Sequence, residues 1–426
     1  MRVMVTFGHR FIRAPTGEVY TRGTVDYNFL SRYLAVFDEV IVLARTEDVD
    51  EIPPNKSRAD GPNVSFFPVP YYFGPIQFLK RYREIKAKMQ KAVDAADAYI
   101  LRVAGPIGTL LWRCLMKKDI PYGIEVVSDP WDFLSPGSVK TRLRPFLRWK
   151  MTRDLVRQCR HASVASYVTK YSLQKRYPSN CWSTHYSTID LPAKAVLDSA
   201  VVDKRMERIK TKENLAEPLL VCCSGQMSQL YKAQDILISA IAKCVDKGVN
   251  VELVLLGDGY FREQLEQQAA SLSIADKVHF LGNIPAGQAV YEQLDEADVF
   301  VGASRQEGLP RAMIEAMARG LPCIGSTVGG IPELLGEEFV VPAGEVEPLA
   351  EKIEEVLADK RKLREMSRRN LEKAHEYCID KLNPRRKAFY QRLYEITEAW
   401  RLKGAPKRER MRLGKPKMDK EKNERT

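Results

Sequence analysis

Residues 304–335 read SRQEGLPRAMIEAMARGLPCIGSTVGGIPELL and contain two glutamates, Glu307 and Glu315, that are eight positions apart. Pro310 suits the first turn of a helix, so this spacing places Glu307 in the preceding loop and Glu315 inside the helix. A carboxylate accepts hydrogen bonds through both of its oxygens and therefore suits vicinal hydroxyl groups. Helix capping by Glu307 and a surface ion pair of Glu315 form the alternative interpretation.

The composition is that of a globular protein. The chain has 426 residues, 45% of them hydrophobic and 9% aromatic, so we expect two or three domains. Its eight cysteines form no CxxC motif and no spacing with histidine suited to zinc, which favours a reducing cytoplasm. No uncharged apolar run approaches the ~20 residues that span a bilayer, and charge interrupts the N-terminus too early for a signal peptide.

Two blocks of the chain repeat the order of short apolar run, turn and amphipathic helix. The runs lie at 2–7, 39–45, 98–103, 122–129 and 161–166 in the first block, and at 218–225, 251–259, 277–284, 298–304 and 322–327 in the second. Buried strands that alternate with helices predict a parallel sheet covered on both faces. The sequence therefore predicts an α/β protein with two doubly wound, Rossmann-like domains that face a cleft.

The predicted domain boundaries follow from changes in composition. An N-terminal domain at 1–195 and a C-terminal domain at 218–382 flank a charged interdomain linker at 196–217 that has no strand pattern. No strand follows the amphipathic helix at 383–402, so this helix must pack on a domain that is already built. The last segment, 403–426, has ten Lys or Arg against four Asp or Glu and almost no large apolar residue, which predicts a basic disordered tail.

Glycine-rich loops follow the strands of the second block, at the sheet edge where doubly wound sheets bind ligands. The residues are Gly225 and Lys232 after the first strand, Gly257, Asp258 and Gly259 after the second, Glu307, Gly308 and Leu309 after the fourth, and Gly329 and Gly330 after the fifth. Glycine turns allow close approach of the backbone, and helix N-termini present N–H groups to phosphate. With the charge of Lys232, the loops predict a site for a diphosphate. Any one of them alone could be an ordinary turn.

Four segments in this half resemble glycosyltransferase family 4, nucleotide-sugar enzymes with the two-domain GT-B fold. They are SGQMSQLYKAQDILISAI (224–241), VLLGDGYFREQLE (254–266), VHFLGNI (278–284) and EGLPRAMIEAMARGLPCIGSTVGGIPEL (307–334), the last of which looks like the E-x7-E signature. The resemblance covers 218–336 well and the N-terminal half only in layout. It implies a retaining transferase without a catalytic metal, whose C-terminal domain holds the donor and whose N-terminal domain holds the acceptor. The helix at 383–402 is then the one that crosses back to the first domain.

The resemblance also implies roles for single residues. Glu307 contacts the donor sugar, Glu315 the nucleoside ribose and Lys232 the diphosphate, while Gly308 and Leu309 supply backbone contacts near the leaving phosphate. The full donor-binding prediction comprises Gly225, Gln226, Lys232, Gly257, Asp258, Gly259, Glu307, Gly308, Leu309, Glu315, Gly329 and Gly330. The predicted catalytic residues are Glu307, Lys232 and Asp129.

Three positions depart from the family pattern. Gln226 stands where the family commonly has Arg, which removes a charge at the diphosphate, and Pro310 stands where many members have a second glycine. Ser128 and Asp129 replace a His-Asp pair in the N-terminal domain, so Asp129 is predicted at the acceptor without its histidine. His9, placed in the loop after the first strand, is either a substitute for that histidine or a simple turn residue.

Three functions fit this sequence. The leading one is transfer of a sugar from a nucleotide-sugar to a glycan or a polyprenyl-diphosphate-linked acceptor in the biosynthesis of a cell-surface polysaccharide or glycoconjugate. The others are a non-hydrolysing sugar-nucleotide epimerase of the same architecture and a degenerate, non-catalytic transferase subunit. The chain contains five histidines, few for the acid and base groups that an epimerase needs. Nucleic acid is not a predicted partner.

The net charge of +12 is concentrated in the tail and in two stretches of the N-terminal half. In 78–92 and 140–160, Lys and Arg alternate with Phe, Leu, Trp and Met, a pattern that suits an anionic membrane surface. Two ordinary solvated helices that happen to be basic are the alternative. The membrane interpretation predicts a cytoplasmic enzyme held peripherally at the inner face of the cytoplasmic membrane.

Overall fold

The chain folds into two α/β domains, each built on a largely parallel sheet. The computed structural model describes residues 1–403 except residues 22, 24, 55 and 135–141. The predicted disordered tail therefore lies, from residue 404 onward, outside the described residues. The predicted fold of two Rossmann-like domains is confirmed.

The N-terminal sheet is parallel apart from a small antiparallel ribbon. Its strands are β1 Arg2–Arg13, β2 Val19–Thr21, β3 Glu39–Asp48, β4 Ser57–Arg58, β5 Val64–Pro70, β6 Ala98–Val103, β7 Gly123–Val126, β8 Val164–Tyr167 and β9 Ser183–His185. The parallel strands are ordered β5-β3-β1-β6-β7-β8-β9, and β2 pairs antiparallel with the end of β1 and with β4. Because both faces of the central strands are buried, those strands are continuous apolar runs in the sequence.

Helices cover both faces of this sheet. They are α1 Tyr27–Leu30, α2 Gly74–Lys80, α3 Tyr82–Ala92, α4 Pro106–Lys117, α5 Pro130–Phe133, α6 Arg144–His161 and α7 Ser172–Arg176, with 3₁₀ turns at Ser31–Ala35 and Ala193–Ala195. The basic stretch predicted at 78–92 contains the end of α2 and all of α3. The stretch at 140–160 corresponds to α6, and its first two residues lie outside the described residues.

The C-terminal domain has a wholly parallel sheet. Its strands are β10 Leu219–Ser224, β11 Val251–Leu256, β12 Val278–Gly282, β13 Val299–Gly302, β14 Cys323–Ser326 and β15 Val340–Val341, in the order β12-β11-β10-β13-β14-β15. Its helices are α8 Ala200–Asn214, α9 Gln234–Asp246, α10 Arg262–Ser271, α11 Gln288–Glu296, α12 Arg311–Ala318, α13 Ile331–Leu335, α14 Val346–Ala358 and α15 Lys360–His375, with 3₁₀ turns at Leu230–Lys232, Ala275–Lys277 and Glu337–Phe339.

The segment predicted as an irregular linker, 196–217, is mostly the helix α8. Val202, Met206 and Ile209 are buried along one face of this helix. On the same helix, Arg208 pairs with Asp298 at 2.9 Å between Nη2 and Oδ1. This segment is therefore helical, and charges on it bind the C-terminal domain instead of remaining in solvent.

The last helix, α16 Ile379–Leu402, returns to the N-terminal domain as predicted. Its ring of Tyr390 lies 4.8 Å from the ring of Tyr33, measured between centroids, and Phe389 packs at 6.2 Å from Tyr186. A Cβ on Gly123 of β7 would lie 3.0 Å from Cζ of Phe389, so the small residue lets the helix approach the sheet. The chain thus crosses between the domains a second time near its end.

Each sheet reverses its strand order at one point, and the two points locate the site. In the N-terminal sheet the reversal lies between β1 and β6, and in the C-terminal sheet it lies between β10 and β13. Loops that leave the carboxyl ends of strands on either side of such a point diverge and open a crevice for ligands. The loops after β10 and β13 carry Lys232 and Glu307, the two residues that the motif analysis singled out.

Candidate functional site

Lys232 and Glu307 meet at the reversal point of the C-terminal sheet. The Lys232 ammonium forms an ion pair and hydrogen bond with Oε1 of Glu307, and the Ser304 hydroxyl donates to the same oxygen at 3.0 Å. Only 20% of the Lys232 side chain and 11% of the Glu307 side chain are exposed. The structure therefore brings together the residue predicted at the diphosphate and the residue predicted at the donor sugar.

The electrostatics of this pair keep the lysine charged. Burial lowers the pKa of Lys232, but the charge and hydrogen bond of Glu307 outweigh burial, and the pKa lies above its ordinary value. The ammonium consequently stays protonated at neutral pH. A ligand that carries its own negative charge can replace Glu307 as the partner of Lys232 and release the carboxylate for hydroxyl groups.

Arg305 holds the loop that carries Lys232. Its guanidinium binds both carboxylate oxygens of Asp235 at 2.7 Å and donates to the carbonyl of Leu230 at 2.7 Å. Its backbone N–H donates to the carbonyl of Tyr231 at 2.8 Å. The loops after β10 and β13 are thus joined on both sides of Lys232, which fixes the ammonium relative to Glu307.

The glycines after β10 and β11 allow two loops to pack against each other. A Cβ on Gly257 would lie 2.2 Å from the carbonyl oxygen of Gly225, and one on Gly259 would lie 2.3 Å from the backbone nitrogen of Ser228. Gly257 and Gly259 also have φ angles of +133° and +154°, which favour glycine. The sequence analysis attributed these glycines to the approach of a ligand, whereas their neighbours here are protein backbone. Contact of this edge with a diphosphate stays a prediction.

The loops after β13 and β14 pack in the same way. A Cβ on Gly329, whose φ is +55°, would lie 2.2 Å from the carbonyl oxygen of Glu307, and the N–H of Gly330 donates to the carbonyl of Gly308 at 2.7 Å. Leu309 is buried against Gly330. The Gly-Gly pair thereby sets the position of the loop that carries Glu307.

Glu315 lies on α12, one helix turn beyond the loop of Glu307. Burial raises the pKa of Glu315, and the positive charge of Arg311 opposes that rise. Within the described part of the chain, no group donates a hydrogen bond to its carboxylate. A half-buried carboxylate without a donor is ready to accept hydroxyl groups of a ligand.

Gln226 and Asp258 lie at the outer end of the same edge. The Gln226 amide donates to Oδ1 of Asn283 at 2.9 Å, and Arg262 approaches Asp258 at 3.6 Å. Arg262 is a cation at the start of α10, close to the position where Gln226 removes one from the family pattern. Arg262 is not among the predicted donor-binding residues, because it is not one of the residues singled out in the family-like segments.

His9 lies within β1, so its predicted place in a loop is wrong. The pairing of β1 with β3 shifts between Thr6 and Arg10, and His9 lies within this irregularity. Desolvation, with the charges of Arg102, Arg311 and Arg45, lowers the pKa of His9 from 6.5 to about 4. Since Arg311 belongs to α12, a neutral imidazole faces the donor domain across the cleft.

Asp129 is bound by residues of its own domain, and its role at the acceptor stays a prediction. It is buried, it accepts from the N–H of Trp131 at 2.8 Å as the N-cap of α5, and it also pairs with Arg176 and the hydroxyl of Tyr177. These contacts occupy both carboxylate oxygens. The sequence could not show the contacts with Arg176 and Tyr177, because these residues lie in α7 and directly after it, more than 40 positions later.

Glu333 joins the two domains beside the site. Its carboxylate accepts from the backbone N–H groups of Lys170 at 2.6 Å and Tyr171 at 2.9 Å, and from that of Ser172. The Ser172 hydroxyl donates to the carbonyl of Gly329 at 2.7 Å. This contact could not be predicted from the sequence, because an acidic residue in the first turn of a helix is an ordinary feature.

Among the residues that the structure describes, no group of three or more His, Cys, Asp or Glu side chains is arranged to hold a metal ion. None of the helices that the structure describes is both long enough and apolar enough to cross a bilayer.

Comparisons with known proteins agree with this geometry. The family profile of glycosyl transferases group 1 matches residues 205–374. Protein CapJ of Staphylococcus aureus is 25% identical over 409 residues, which cover 95% of this chain and all of CapJ. N-acetyl-alpha-D-glucosaminyl L-malate synthase of Bacillus anthracis is 32% identical over 186 residues, 42% of this chain and 47% of the synthase.

Solved structures share the fold. The crystal structure of Anabaena Alr3699/HepE in complex with UDP aligns over 94% of this chain and all of that chain, with a TM-score of 0.59 and 18% identity. At that identity the likeness shows the fold alone. The assignment to family 4 in particular stays a prediction. The chain is a glycosyltransferase with the GT-B fold, and its residues 205–374 match the profile of the glycosyl transferases group 1.

Proposed function

We propose that this chain transfers a sugar, with retention of anomeric configuration, from a nucleoside-diphosphate sugar to a glycan or a polyprenyl-diphosphate-linked acceptor. The observation that carries the proposal is the buried pair of Lys232 and Glu307 at the reversal point of the C-terminal sheet. The product belongs to a cell-surface polysaccharide or glycoconjugate. A UDP-bound structural neighbour supports a nucleotide as part of the donor.

In this proposal the donor enters between the loops after β10 and β13. Its diphosphate replaces Glu307 as the ion-pair partner of Lys232, and Glu307 then accepts hydrogen bonds from the hydroxyl groups of the donor sugar. Glu315, which has no donor of its own within the described residues, accepts the ribose hydroxyls. Fixed charges and dipoles of this kind stabilise the negative charge that develops on a leaving diphosphate. Binding and electrostatics carry the step, and no covalent nucleophile is assigned.

The acceptor side lies across the cleft in the N-terminal domain. His9 faces α12 there, and its low pKa makes it a neutral group that accepts a hydrogen bond from an acceptor hydroxyl. This position supports His9, rather than Asp129, as the acceptor-side residue. It does not supply the acid and base set that an epimerase requires.

Analysis of products by NMR tests the proposal. Incubation with nucleotide-sugars and a cell-envelope extract should release the free nucleoside diphosphate and yield a glycoside with the anomeric configuration of the donor. An epimerised nucleotide-sugar formed without acceptor would establish the epimerase instead. Absence of turnover together with absence of nucleotide binding would establish a non-catalytic subunit.

We also propose that the transfer requires no metal ion or cofactor. The charge of the diphosphate is balanced by Lys232 and by backbone N–H groups in this scheme. Treatment with EDTA should leave the initial rate unchanged. A rate that falls with EDTA and returns with added Mg²⁺ or Mn²⁺ contradicts this part of the proposal.

Two helices of the N-terminal domain support a location at the inner face of the cytoplasmic membrane. On and before α2, Phe73, Ile76 and Leu79 are 61%, 70% and 66% exposed, and Phe146 and Trp149 on α6 are 56% and 53% exposed. Large exposed apolar side chains next to basic ones are typical of surfaces that insert into an anionic leaflet, where each Lys or Arg contributes ~1 kcal/mol.

Sedimentation with vesicles tests this location. The protein should pellet with phosphatidylserine-containing vesicles at low salt, and a truncation after Leu402 should pellet equally. Charge reversal at Lys80, Arg81, Arg142 and Arg144 should release it. A protein that stays in the supernatant at low salt contradicts the peripheral location and favours an acceptor without a lipid.

A further inference from the structure

A cavity of about 540 Å³ lies at the reversal point of the N-terminal sheet. The ends of β1 and β6 form its floor, and α2, α4 and α6 form its walls. Its volume is within the ~300–1,000 Å³ typical of ligand sites. The cavity therefore occupies, in the N-terminal domain, the place that the donor site occupies in the C-terminal domain.

The walls of this cavity are apolar for most of its length. The lining side chains include Phe7, Phe78, Leu79, Ile107, Leu147 and Met151. Leu147 and Met151 are one turn apart on the inner face of α6, and both remain partly exposed. Leu79, at the rim, is 66% exposed. An open apolar cavity with an apolar rim favours a hydrocarbon ligand over a sugar.

The polar groups on the α6 side of the cavity satisfy one another. Asp154 pairs with Lys150 at 2.8 Å and with Arg113 at 3.4 Å, and the Gln158 amide donates to the Thr109 hydroxyl at 2.9 Å. These groups require no ligand, because they have partners within the protein. One other polar side chain of the cavity lining has a nitrogen atom without a hydrogen-bond partner.

Arg45, at the end of the cavity near His9, is that side chain. Its guanidinium donates to the carbonyls of Tyr72 and Gly8, and it stacks on the Tyr72 ring at 4.6 Å. Its Nε is buried without a hydrogen-bond partner, and among the described residues no carboxylate pairs with it. A buried unpaired donor is costly, and a phosphate oxygen is the partner that a guanidinium binds best.

We propose that this cavity binds the hydrocarbon chain of a lipid phosphate, with the phosphate on Arg45 and the chain between α2, α4 and α6. The inference rests on the proposed function, because it identifies the acceptor of the proposed transfer as a lipid-linked one. The phosphate end opens beside His9 and the cleft, so a sugar carried on that phosphate reaches the donor domain. The chain leaves past Leu79 and Leu147, where α2 and α6 expose apolar side chains.

Calorimetric titration with farnesyl diphosphate, kept below its aggregation limit, tests the site. Farnesyl diphosphate should bind at least tenfold more tightly than inorganic diphosphate, which lacks the chain, and more tightly than farnesol, which lacks the phosphate. Equal affinity for inorganic diphosphate overturns the role of the cavity. Equal affinity for farnesol overturns the role of Arg45.

Two classes of variant locate the binding. Leu147→Trp fills the cavity and should weaken farnesyl diphosphate binding at least tenfold, whereas Phe146→Trp, on the same helix but outside the cavity, should not. Met151→Trp is the second variant if Leu147→Trp has a lowered melting temperature. Arg45→Gln should weaken binding at least tenfold, and Arg13→Gln, at an exposed ion pair with Asp48, should leave it unchanged. Unchanged affinity in both cavity-filling variants overturns the inference.

Titration of nucleoside diphosphates into the same preparations separates this inference from the proposed function. Leu147→Trp should bind them as the wild type does, because the donor loops lie in the other domain. Farnesyl diphosphate binding without nucleotide binding supports the lipid site and contradicts the transferase proposal. Nucleotide binding without farnesyl diphosphate binding supports a transferase with a different acceptor and overturns the lipid site.

Discussion

Both sheets of this protein reverse their strand order beside the cleft, but the side chains at the two reversal points differ in chemistry. At the C-terminal sheet edge, Lys232 and Glu307 pair with each other and glycines pack the loops backbone to backbone. At the N-terminal edge, Arg45 has an unpaired Nε and the neighbouring space is an apolar cavity. Nucleoside-diphosphate sugars share a diphosphate and a pentose, so one residue pattern serves them. Acceptors differ in their chemical structure, so no common sequence motif marks the domain that binds them.

The paired state of the donor edge has an energetic consequence. Removal of one partner of a buried ion pair costs ~3–5 kcal/mol, because the remaining charge stays buried without compensation. A bound diphosphate supplies that compensation for Lys232 when Glu307 is replaced. We therefore expect a nucleoside diphosphate to stabilise Glu307→Gln more than it stabilises Lys232→Ala.

The largest effect is expected for Glu307→Gln. The substitution keeps the shape but removes the charge that positions the donor sugar, so turnover should fall by ~10²–10³-fold, as for loss of one electrostatic contact in other active sites. The initial rate of nucleotide release checks this. Glu337→Gln, outside the cleft in the turn before β15, is the matched control and should keep the wild-type rate. Near-normal turnover of Glu307→Gln contradicts the donor-sugar assignment.

A smaller effect is expected for Glu315→Ala. Loss of hydrogen bonds between the ribose and a charged group should weaken nucleotide binding by about 1.5–3 kcal/mol while the rate at saturation changes little, because the ribose is remote from the reacting carbon. The pKa of Glu315 is raised by burial, so the same loss should begin, as the pH falls, at a higher pH than for an exposed glutamate. An unchanged dissociation constant at neutral pH would count against the ribose assignment.

The smallest effect concerns His9 and is seen in stability. Because its pKa is about 4 in the folded protein and about 6.5 when unfolded, the unfolded chain binds the proton first as the pH falls. The contribution of His9 is therefore fully present above pH 6.5 and is lost progressively down to pH 4. Melting temperatures across this window should fall less for His9→Gln than for the wild type. His375→Gln, on the exposed face of α15, should follow the wild type. Parallel curves for His9→Gln and the wild type contradict a desolvated His9.

The strands that the sequence predicted are those buried on both faces. Each central strand is an apolar run bounded by turn residues, and this pattern survives any tertiary arrangement. The strand β5, SFFPVP with Val64 before it, was missed because two prolines interrupt it. The helix α8 was missed because its apolar stripe of Val202, Met206 and Ile209 is narrow and its other positions are charged.

The candidate site likewise contains residues that could be predicted from the sequence and residues that could not. The positions of Lys232 and Glu307 could be predicted because the loops that carry them follow strands of one sheet, and Glu315 could be placed in the helix after Pro310. The contacts of Asp129 could not be predicted, because Arg176 and Tyr177 are remote in sequence. Arg45 was not identified, because only the fold shows that its Nε has no partner and that it lies beside a cavity.

The most direct test of the donor site is calorimetric titration of UDP, GDP and ADP into the wild type and Lys232→Ala. Lys210→Ala, at an exposed position on α8, is the control, and Lys232→Ala/Glu307→Gln shows whether loss of affinity arises from the buried charge of Glu307. At least one nucleotide should bind the wild type and the control, and its affinity should fall at least about tenfold in Lys232→Ala, as expected for a hydrogen bond to a charged group. If none of the three binds the wild type, or if Lys232→Ala binds as tightly, the nucleotide-sugar site is not where we propose it.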